Sequence, residues 1–497
     1  MIDRSPPTRW GRRVPPTRAL VAALVALIVA AGAVGAAYAV KLSTAPSAGS
    51  PSRPQPRTAT LGLMAPLSGD LASLGGAVRN AVRLAVDEAN ADAAIPGWKI
   101  RLSLQDDLSR PDGGARAAGE LAADETVIGV VGPLSSTVAM VAVPTLSAAG
   151  IAVVSPSNSR PELTGLATTT TATAATTARS RPYPGYFRLS GTDVLAARTS
   201  AEYAVATMGR RRITVVDGGP GFGTSLAQRF ASDARQLGAA VTGIHKVHGS
   251  LDDESEVASV VERVRAETPD LLYVATGFAF AAHLRTELAD QGLAVAVLGS
   301  DGLGDPRYPE RAEGAAEGDT VVDLGAPLSE LPRAGSFAAA YLHRWGGRGN
   351  RETGTRIGDP AVSTASRALG SGAGSGAGSG AEAGPPAVIR GDASAVTGAP
   401  GPAVPPPTAV ADVIPSVAAY AYDAAGVLLR AASSVLPGRT GVDGAARAAV
   451  IAALRQGRFV GATGEVGFDE WGDAVAPLVT IYAVRDRAFV VLRVRRP

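Results

Sequence analysis

Two groups of hydroxyls punctuate one short stretch of this chain. Ser135, Ser136 and Thr137 follow an apolar run (Val127, Ile128, Val130, Val131) that stops at Gly132-Pro133. Ser155, Ser157, Asn158 and Ser159 follow a second apolar run, Ile151 to Val154. An apolar helical pattern joins the two, so the stretch from Val127 to Gly165 reads as strand, helix, strand. In a parallel sheet the carboxyl ends of such strands lie side by side, in the crevice where open α/β sheets bind ligands. Ser135 or Ser136 then stands at a helix N-terminus, where free N–H groups and the helix dipole favour an anion. The chemistry implied is binding of something small with a negative charge at one end.

Other residue types offer less. His245 and His248 flank Lys246 and Val247 on an expected strand, where positions i and i+3 face opposite ways, so they make no metal pair. His283 and His343 stand apart from them. No Gly-x-Ser-x-Gly elbow occurs. Asp106-Asp107 has no accompanying motif and reads as a loop at a strand end. Gly219 and Gly221 follow a strand, but a nucleotide-binding loop needs a third glycine where Thr224 stands. The chain has no cysteine, which excludes disulfides, thiolate chemistry and lipid-modified cysteine. No cofactor or metal and no catalytic constellation is implied. What remains is a set of polar loops at strand ends, and a ligand held between two lobes is the economical reading.

The elements that position these loops alternate. Leu61 to Ala65 is a short strand. Val78, Ala81, Val82, Ala85, Val86 and Ala89 recur at helical spacing. Ile100 to Leu104 is a strand and Asp112 to Ala123 a helix. After Tyr186-Phe187-Arg188 the rhythm repeats. It predicts helices over Val194–Met208, Val257–Ala266 and Phe278–Asp290. It predicts strands at Ile213–Val216, Val241–Val247, Leu271–Ala275 and Ala294–Leu298. Gly299-Ser300-Asp301-Gly302 closes the last of these. Helices over Val417–Ser433 and Ala445–Arg455 and strands over Leu478–Val484 and Ala488–Val494 complete the chain. The alternation argues for parallel sheets with helical crossovers.

The 497 residues suffice for two or three domains, and 46% hydrophobic with 19% charged residues describe a globular protein. The net charge is only +2, although Arg4, Arg9, Arg12, Arg13 and Arg18 crowd the first 18 residues against one acid, Asp3. The remainder is therefore slightly acidic and offers no basic face to nucleic acid. Ala19 to Val40 is an uncharged apolar run of 22 residues, long enough at about 1.5 Å per residue to cross a bilayer core of about 30 Å. It reads as an uncleaved anchor, or as a signal cleaved near Ala37-Tyr38-Ala39; either way the bulk of the chain is exported. Residues 41–57 are a Pro/Ser-rich tether. Ala167 to Ala178 is a Thr/Ala surface loop, and 351–412 is a Gly/Ala/Pro/Ser-rich insert expected to be disordered.

At this point the residues resemble a known family. The chain is similar to the type I periplasmic binding proteins, in particular the branched-chain amino-acid group serving ABC importers. The matching pieces run in order: Leu63-Met64-Ala65-Pro66-Leu67-Ser68-Gly69, Asp87-Glu88-Ala89-Asn90, Val131-Gly132-Pro133-Leu134-Ser135-Ser136, and Ser155-Pro156-Ser157 with Pro161-Glu162-Leu163-Thr164. Tyr186-Phe187-Arg188, Ala419-Tyr420-Ala421-Tyr422-Asp423-Ala424, and Gly467-Phe468-Asp469 with Gly472-Asp473 follow.

The resemblance implies an α/β fold of two Rossmann-like lobes joined by three crossovers, near Leu189–Thr192, Val322–Ala326 and Gly464–Phe468. Lobe 1 would take residues 58–190, 325–350 and 413–466, lobe 2 residues 191–324, and 467–497 would partly join lobe 2. It further implies that Ser136 and Ser159 hold a ligand carboxylate and Asp301 its ammonium, with Ser135 and Ser157 beside them. Leu74, Phe222 and the Thr276-Gly277 pair fall where the family places aromatic cleft residues. Phe222 keeps a ring without a hydroxyl, Leu74 keeps only bulk, and Asp301 is one methylene shorter than the usual Glu. The ligand is then an amino acid, a short amide, or an aromatic or aliphatic acid. The expected function is an extracytoplasmic solute-binding protein working with an ABC permease and attached to the membrane through its N-terminal helix. The alternative is a membrane-anchored sensory module of the same fold.

Overall fold

The computed structural model describes residues 17–43, 55–166, 179–219, 224–248, 254–346 and 414–496, with side chains of the first segment described over 21–35. The Thr/Ala loop, the 351–412 insert, Phe222 and most of the tether lie outside the described residues. The chain divides into two units, Met1–Gln55 and Pro56–Pro497. The first holds one helix of 27 residues, α1 (Thr17–Ser43). Among the described residues no helix is long and apolar enough to cross a membrane.

The second unit is built on two sheets. In the first, β1 (Arg57–Ala65), β2 (Trp98–Asp106), β3 (Val127–Val131), β4 (Ala152–Ser155) and β5 (Tyr186–Arg188) run parallel in the order β2-β1-β3-β4-β5. Every residue of β3 is buried, as expected of a central parallel strand covered on both faces. One face carries α2 (Ala72–Ala91), α10 (Ala334–Trp345) and α11 (Ser416–Val435), packed on Leu61 and Leu63. The apolar stripe of α2 buries Val78, Ala81, Val82, Ala85 and Val86, the residues whose spacing predicts it. The other face carries α3 (Pro111–Ala123) and α4 (Ser136–Ala148), packed on Met64 and Val130.

The second sheet has five parallel strands, β6 (Arg212–Asp217), β7 (Ala240–Lys246), β8 (Leu271–Ala275), β9 (Ala296–Gly299) and β10 (Thr320–Leu324). One of its faces holds α5 (Asp193–Glu202) and α6 (Thr224–Gln236). The other holds α7 (Glu254–Glu267), α8 (Phe278–Asp290) and α9 (Arg307–Arg311). A hairpin, β11 (Arg458–Gly461) and β12 (Gly464–Gly467), and the helix α12 (Gly444–Gln456) follow α11 in the chain. Two last strands, β13 (Val479–Arg485) and β14 (Ala488–Arg495), add antiparallel to β10.

The chain passes between the sheets three times, over 189–192, 325–333 and 468–478. Hydrogen bonds tie the passages to the elements around them. Leu189 N–H donates to Ser155 O (2.9 Å), Ala326 N–H to the Tyr420 hydroxyl (3.1 Å), and Thr480 Oγ1–H to Gly325 O (2.6 Å).

One local reading changes and one element is new. The helix expected over 194–208 is α-helical only to Glu202 and then widens into a π turn, Tyr203–Thr207. The β11–β12 hairpin had no expectation. Its turn is gripped by buried Asp423 of α11, whose carboxylate accepts from Ala462 N and Thr463 N, each at 2.7 Å. His245 and His248 each meet their own partner, Glu267 and Glu256.

Gly132 shows how tightly the first sheet is closed at its carboxyl end. Its φ is +96°, and a Cβ there would lie 2.1 Å from Met64 O of the neighbouring strand. Gly132→Ala therefore meets both a left-handed backbone and a backbone clash that no rotamer relieves. The expected result is a loss of at least about 1–3 kcal/mol of stability, read from chemical denaturation.

Candidate functional site

Helix α4 begins where the sequence places it. Ser135 is the N-cap in extended conformation, and its hydroxyl pairs with Thr137 Oγ1 (2.7 Å) without capping the helix backbone. Ser136 is the first helical residue. Its Oγ accepts from Ser159 N–H at 3.2 Å, which joins the loop after β3 to the loop after β4. A second clasp crosses the same gap: Ser157 Oγ–H and Asn158 Nδ2–H both donate to Leu134 O, at 3.0 and 2.8 Å. Ser157 thus spends its hydrogen on the protein. Ser136 instead offers its oxygen, as the acceptor of the bond from Ser159 N–H.

Ser159 leads to a residue that the sequence reading did not single out. Its carbonyl accepts from Asp193 N–H (2.9 Å), and its hydroxyl bonds the Asp193 carboxylate. Asp193 opens α5, just past the first passage between the sheets, with Thr192 as the helix N-cap accepting from Leu195 N–H (3.3 Å). Burial raises the pKa of Asp193, against the bond from Ser159 and the pull of Arg188.

Asp301 sits beyond β9, at the start of a 3-10 turn (Asp301–Leu303). It is half-buried. Its carboxyl is pushed up to about 8, by burial first and then by the carboxylates of Asp193 and Asp323. Asp301 therefore lies within electrostatic reach of a residue hydrogen-bonded to the first sheet's loops. Ser136 is thus linked to Ser159 and Ser159 to Asp193 by hydrogen bonds, and Asp193 to Asp301 by charge. Across the rim, Arg307 of the second sheet's side feels the charge of Asp70 from the loop after β1.

The other expected residues are more loosely placed. Leu74 is half-buried in the first turn of α2. Thr276 is buried at the end of β8, and its hydroxyl donates to Gly277 O (3.2 Å). Gly277 is the exposed N-cap of α8. Asp323 is the second residue the sequence reading passed over, and its carboxyl is pushed up to about 6 by burial. Its signal was present: an acid inside the apolar run Val321-Val322-Asp323-Leu324. Among the described residues no group of three or more His, Cys, Asp or Glu could hold a metal ion.

A tether of a different kind holds the end of β5. Arg188 is fully buried, with Nε 2.7 Å from Asp473 Oδ1. Its other nitrogens donate to Arg160 O (2.7 Å) and to the Thr164 hydroxyl (2.6 Å). Arg179 reaches the same carboxylate at 2.6 Å. This network fixes the loop that carries Asn158 and Ser159 against the C-terminal segment.

Known proteins share this fold. The Leu/Ile/Val-binding protein BraC3 of Rhizobium johnstonii is 28% identical over 282 residues, which is 56% of this chain and 71% of that protein. Leu/Ile/Val-binding protein homolog 3 of Brucella melitensis is 27% identical over 249 residues, 50% of this chain and 62% of its own length. A crystal structure of a leucine-binding protein from Thermotoga maritima superposes with a TM-score of 0.62 at 18% identity, covering 88% of this chain and 99% of that one. A solute-binding protein from Rhodopseudomonas palustris in complex with benzoate has a TM-score of 0.60 at 18% identity, over 88% and 97% of the two chains. These neighbours share the type I α/β fold of two sheets. Residues 58–356, more than half of the chain, match the family described as periplasmic binding protein, and the chain belongs to that family.

Proposed function

We propose that this protein captures an amino acid or a similar small amphoteric ligand between its two sheets and delivers it to an ABC-type importer. It is a solute-binding protein and not an enzyme. The observation that carries the ligand class is the polarity of the cleft: a hydroxyl, Ser136, at the N-terminus of α4, and a carboxyl, Asp301, coupled to it through Ser159 and Asp193. A carboxylate suits the first end and an ammonium the second. Ser159 serves the carboxylate only by sharing a hydroxyl already bonded to Asp193, so Ser136 carries the larger part. Ser135 and Ser157 line the same end, while Leu74, Thr276 and Gly277 bound the ligand's side chain. Relatives and structural neighbours are named for leucine, for Leu/Ile/Val and for benzoate, a range consistent with one cleft adapted to several small ligands.

The lobes divide at the three passages, so that closure brings Asp301 toward Ser136. The first 18 residues are the basic cytoplasmic side of an export segment. The apolar run 19–40 behind its five arginines is a membrane anchor or a signal that delivers the folded unit outside the cell, beside its permease.

Thermal-shift screening of the purified chain against amino acids, amides and small acids tests the reading. Stabilisation by at least one amino acid is expected; silence across the panel would overturn it. Ser136→Ala removes one charge-assisted bond, about 1.5–3 kcal/mol, and should weaken binding roughly ten- to hundredfold with the fold intact. Calorimetry showing unchanged affinity would move the carboxylate elsewhere.

A further inference from the structure

Three carboxyls, Asp193, Asp301 and Asp323, stand at one place, more than an amino acid with one ammonium can pair. Asp301 and Asp323 are neighbours by strand register: β10 pairs parallel with β9, Val321 opposite Gly299, and each acid stands two residues further on. Adjacent strands lie about 4.8 Å apart. The carboxyl of Asp323 lies against Gly304, where a Cβ would be 3.7 Å from both its Cγ and its Oδ2. Both acids are half-buried, Asp301 in the turn after β9 and Asp323 near the end of β10. Among the described residues neither forms an ion pair with an arginine or lysine. Asp193 adds a third carboxylate within electrostatic reach of Asp301, and it alone is offset, by Arg188 and Arg160 and against Glu162.

One buried hydroxyl points to a polar ligand at the same place. Ser300 Oγ is without a hydrogen-bond partner and its residue is 1% exposed, while the buried Tyr273 hydroxyl has Ser200 beside it. Tyr273 lies one strand over on β8, and its hydroxyl feels the charges of both Asp301 and Asp193. Ser300 directly precedes Asp301. The carboxylates are not grouped closely enough to hold a metal ion, so a compact divalent cation does not fit them. A molecule with two separated cationic groups does.

We propose that the ligand is an amino acid with a basic side chain, whose α-ammonium lies between Asp193 and Asp301 and whose second cation faces Asp323. The proposal rests on the amino-acid reading of the cleft and narrows it. A neutral side chain would leave Asp323 desolvated without a counter-charge, which disfavours leucine-like ligands by specificity through unpaired groups. A basic side chain supplies that charge.

The test is calorimetric titration of the full chain and of Asp323→Asn with L-lysine, L-arginine, L-leucine and L-norleucine at pH 7 and low salt. L-lysine or L-arginine is expected to bind the wild type at least tenfold more tightly than L-norleucine, which has lysine's chain without its charge. Asp323→Asn, nearly isosteric, should cut the affinity for the basic ligand tenfold or more and change that for leucine less than threefold. Leucine or norleucine binding more tightly than both basic amino acids, or Asp323→Asn leaving the order unchanged, would overturn the inference while the amino-acid reading stands. No binding by any of the four would overturn that reading and this inference with it.

Discussion

Asp301→Ala should abolish measurable amino-acid binding while leaving the fold as stable as before, or more so. The loss follows from position. The ligand's ammonium would be desolvated in the cleft, and removing its partner leaves that charge buried, at about 2–5 kcal/mol, or roughly thirtyfold to several thousandfold in affinity. The retained stability follows from what surrounds the carboxyl. Burial, Asp193 and Asp323 all disfavour its ionised form and hold it at about 8. Because the folded pKa lies above the unfolded value, the folded state binds the proton more tightly. The contribution to stability is therefore present at low pH and lost as pH rises from about 4 to about 8. Denaturation curves of the ligand-free wild type over that window should show this fall, and Asp301→Ala should flatten it. A cationic ligand favours the ionised carboxyl, so ligand uptake near pH 7 should release protons, visible as calorimetric heats that depend on the buffer. Affinity retained in Asp301→Ala would remove the residue from the site.

The second large effect has the opposite signature. Asp473→Asn leaves the fully buried Arg188 without its charge partner. Breaking a buried pair from one side costs about 3–5 kcal/mol, since the remaining charge stays desolvated. The denaturant midpoint should fall accordingly. Arg179 bonds the same carboxylate but is 21% exposed, so Arg179→Ala is the control and should cost about 1 kcal/mol or less. The loop carrying Ser159 is held by this arginine through Arg160 O and Thr164. Asp473→Asn should therefore lose stability and keep near-normal affinity at temperatures where it is folded. A midpoint shift no larger than that of Arg179→Ala would show that the pair is replaceable.

Much of the architecture was legible because apolar periodicity reports directly on burial. The run at Val127–Val131 is apolar throughout and becomes a strand buried on both faces. The i, i+3, i+4 pattern of α2 becomes its buried stripe, and Phe278–Asp290 has the same bounds in both readings. Turn chemistry was legible for a similar reason: Gly132-Pro133 ends a strand because no side chain fits beside Met64 O. The hairpin at 458–467 escaped notice. Its strands are four residues each, and its turn depends on Asp423, some 40 residues away in sequence.

By itself the sequence determined that this is an α/β protein with hydroxyls at the strand ends, no thiol chemistry and an exported character. The resemblance it carries pointed to Ser136, Ser159 and Asp301 one by one. Only the tertiary structure decided how they are connected. Asp193 gains its place only because its N–H meets Ser159 O and its carboxylate meets that residue's hydroxyl. Asp323 gains its place only because the β9–β10 register sets it beside Asp301. The physical reason is that local propensity and periodicity are properties of neighbours along the chain. The pKa of a carboxyl is set by neighbours in space, and in this cleft those come from three separate passes of the backbone.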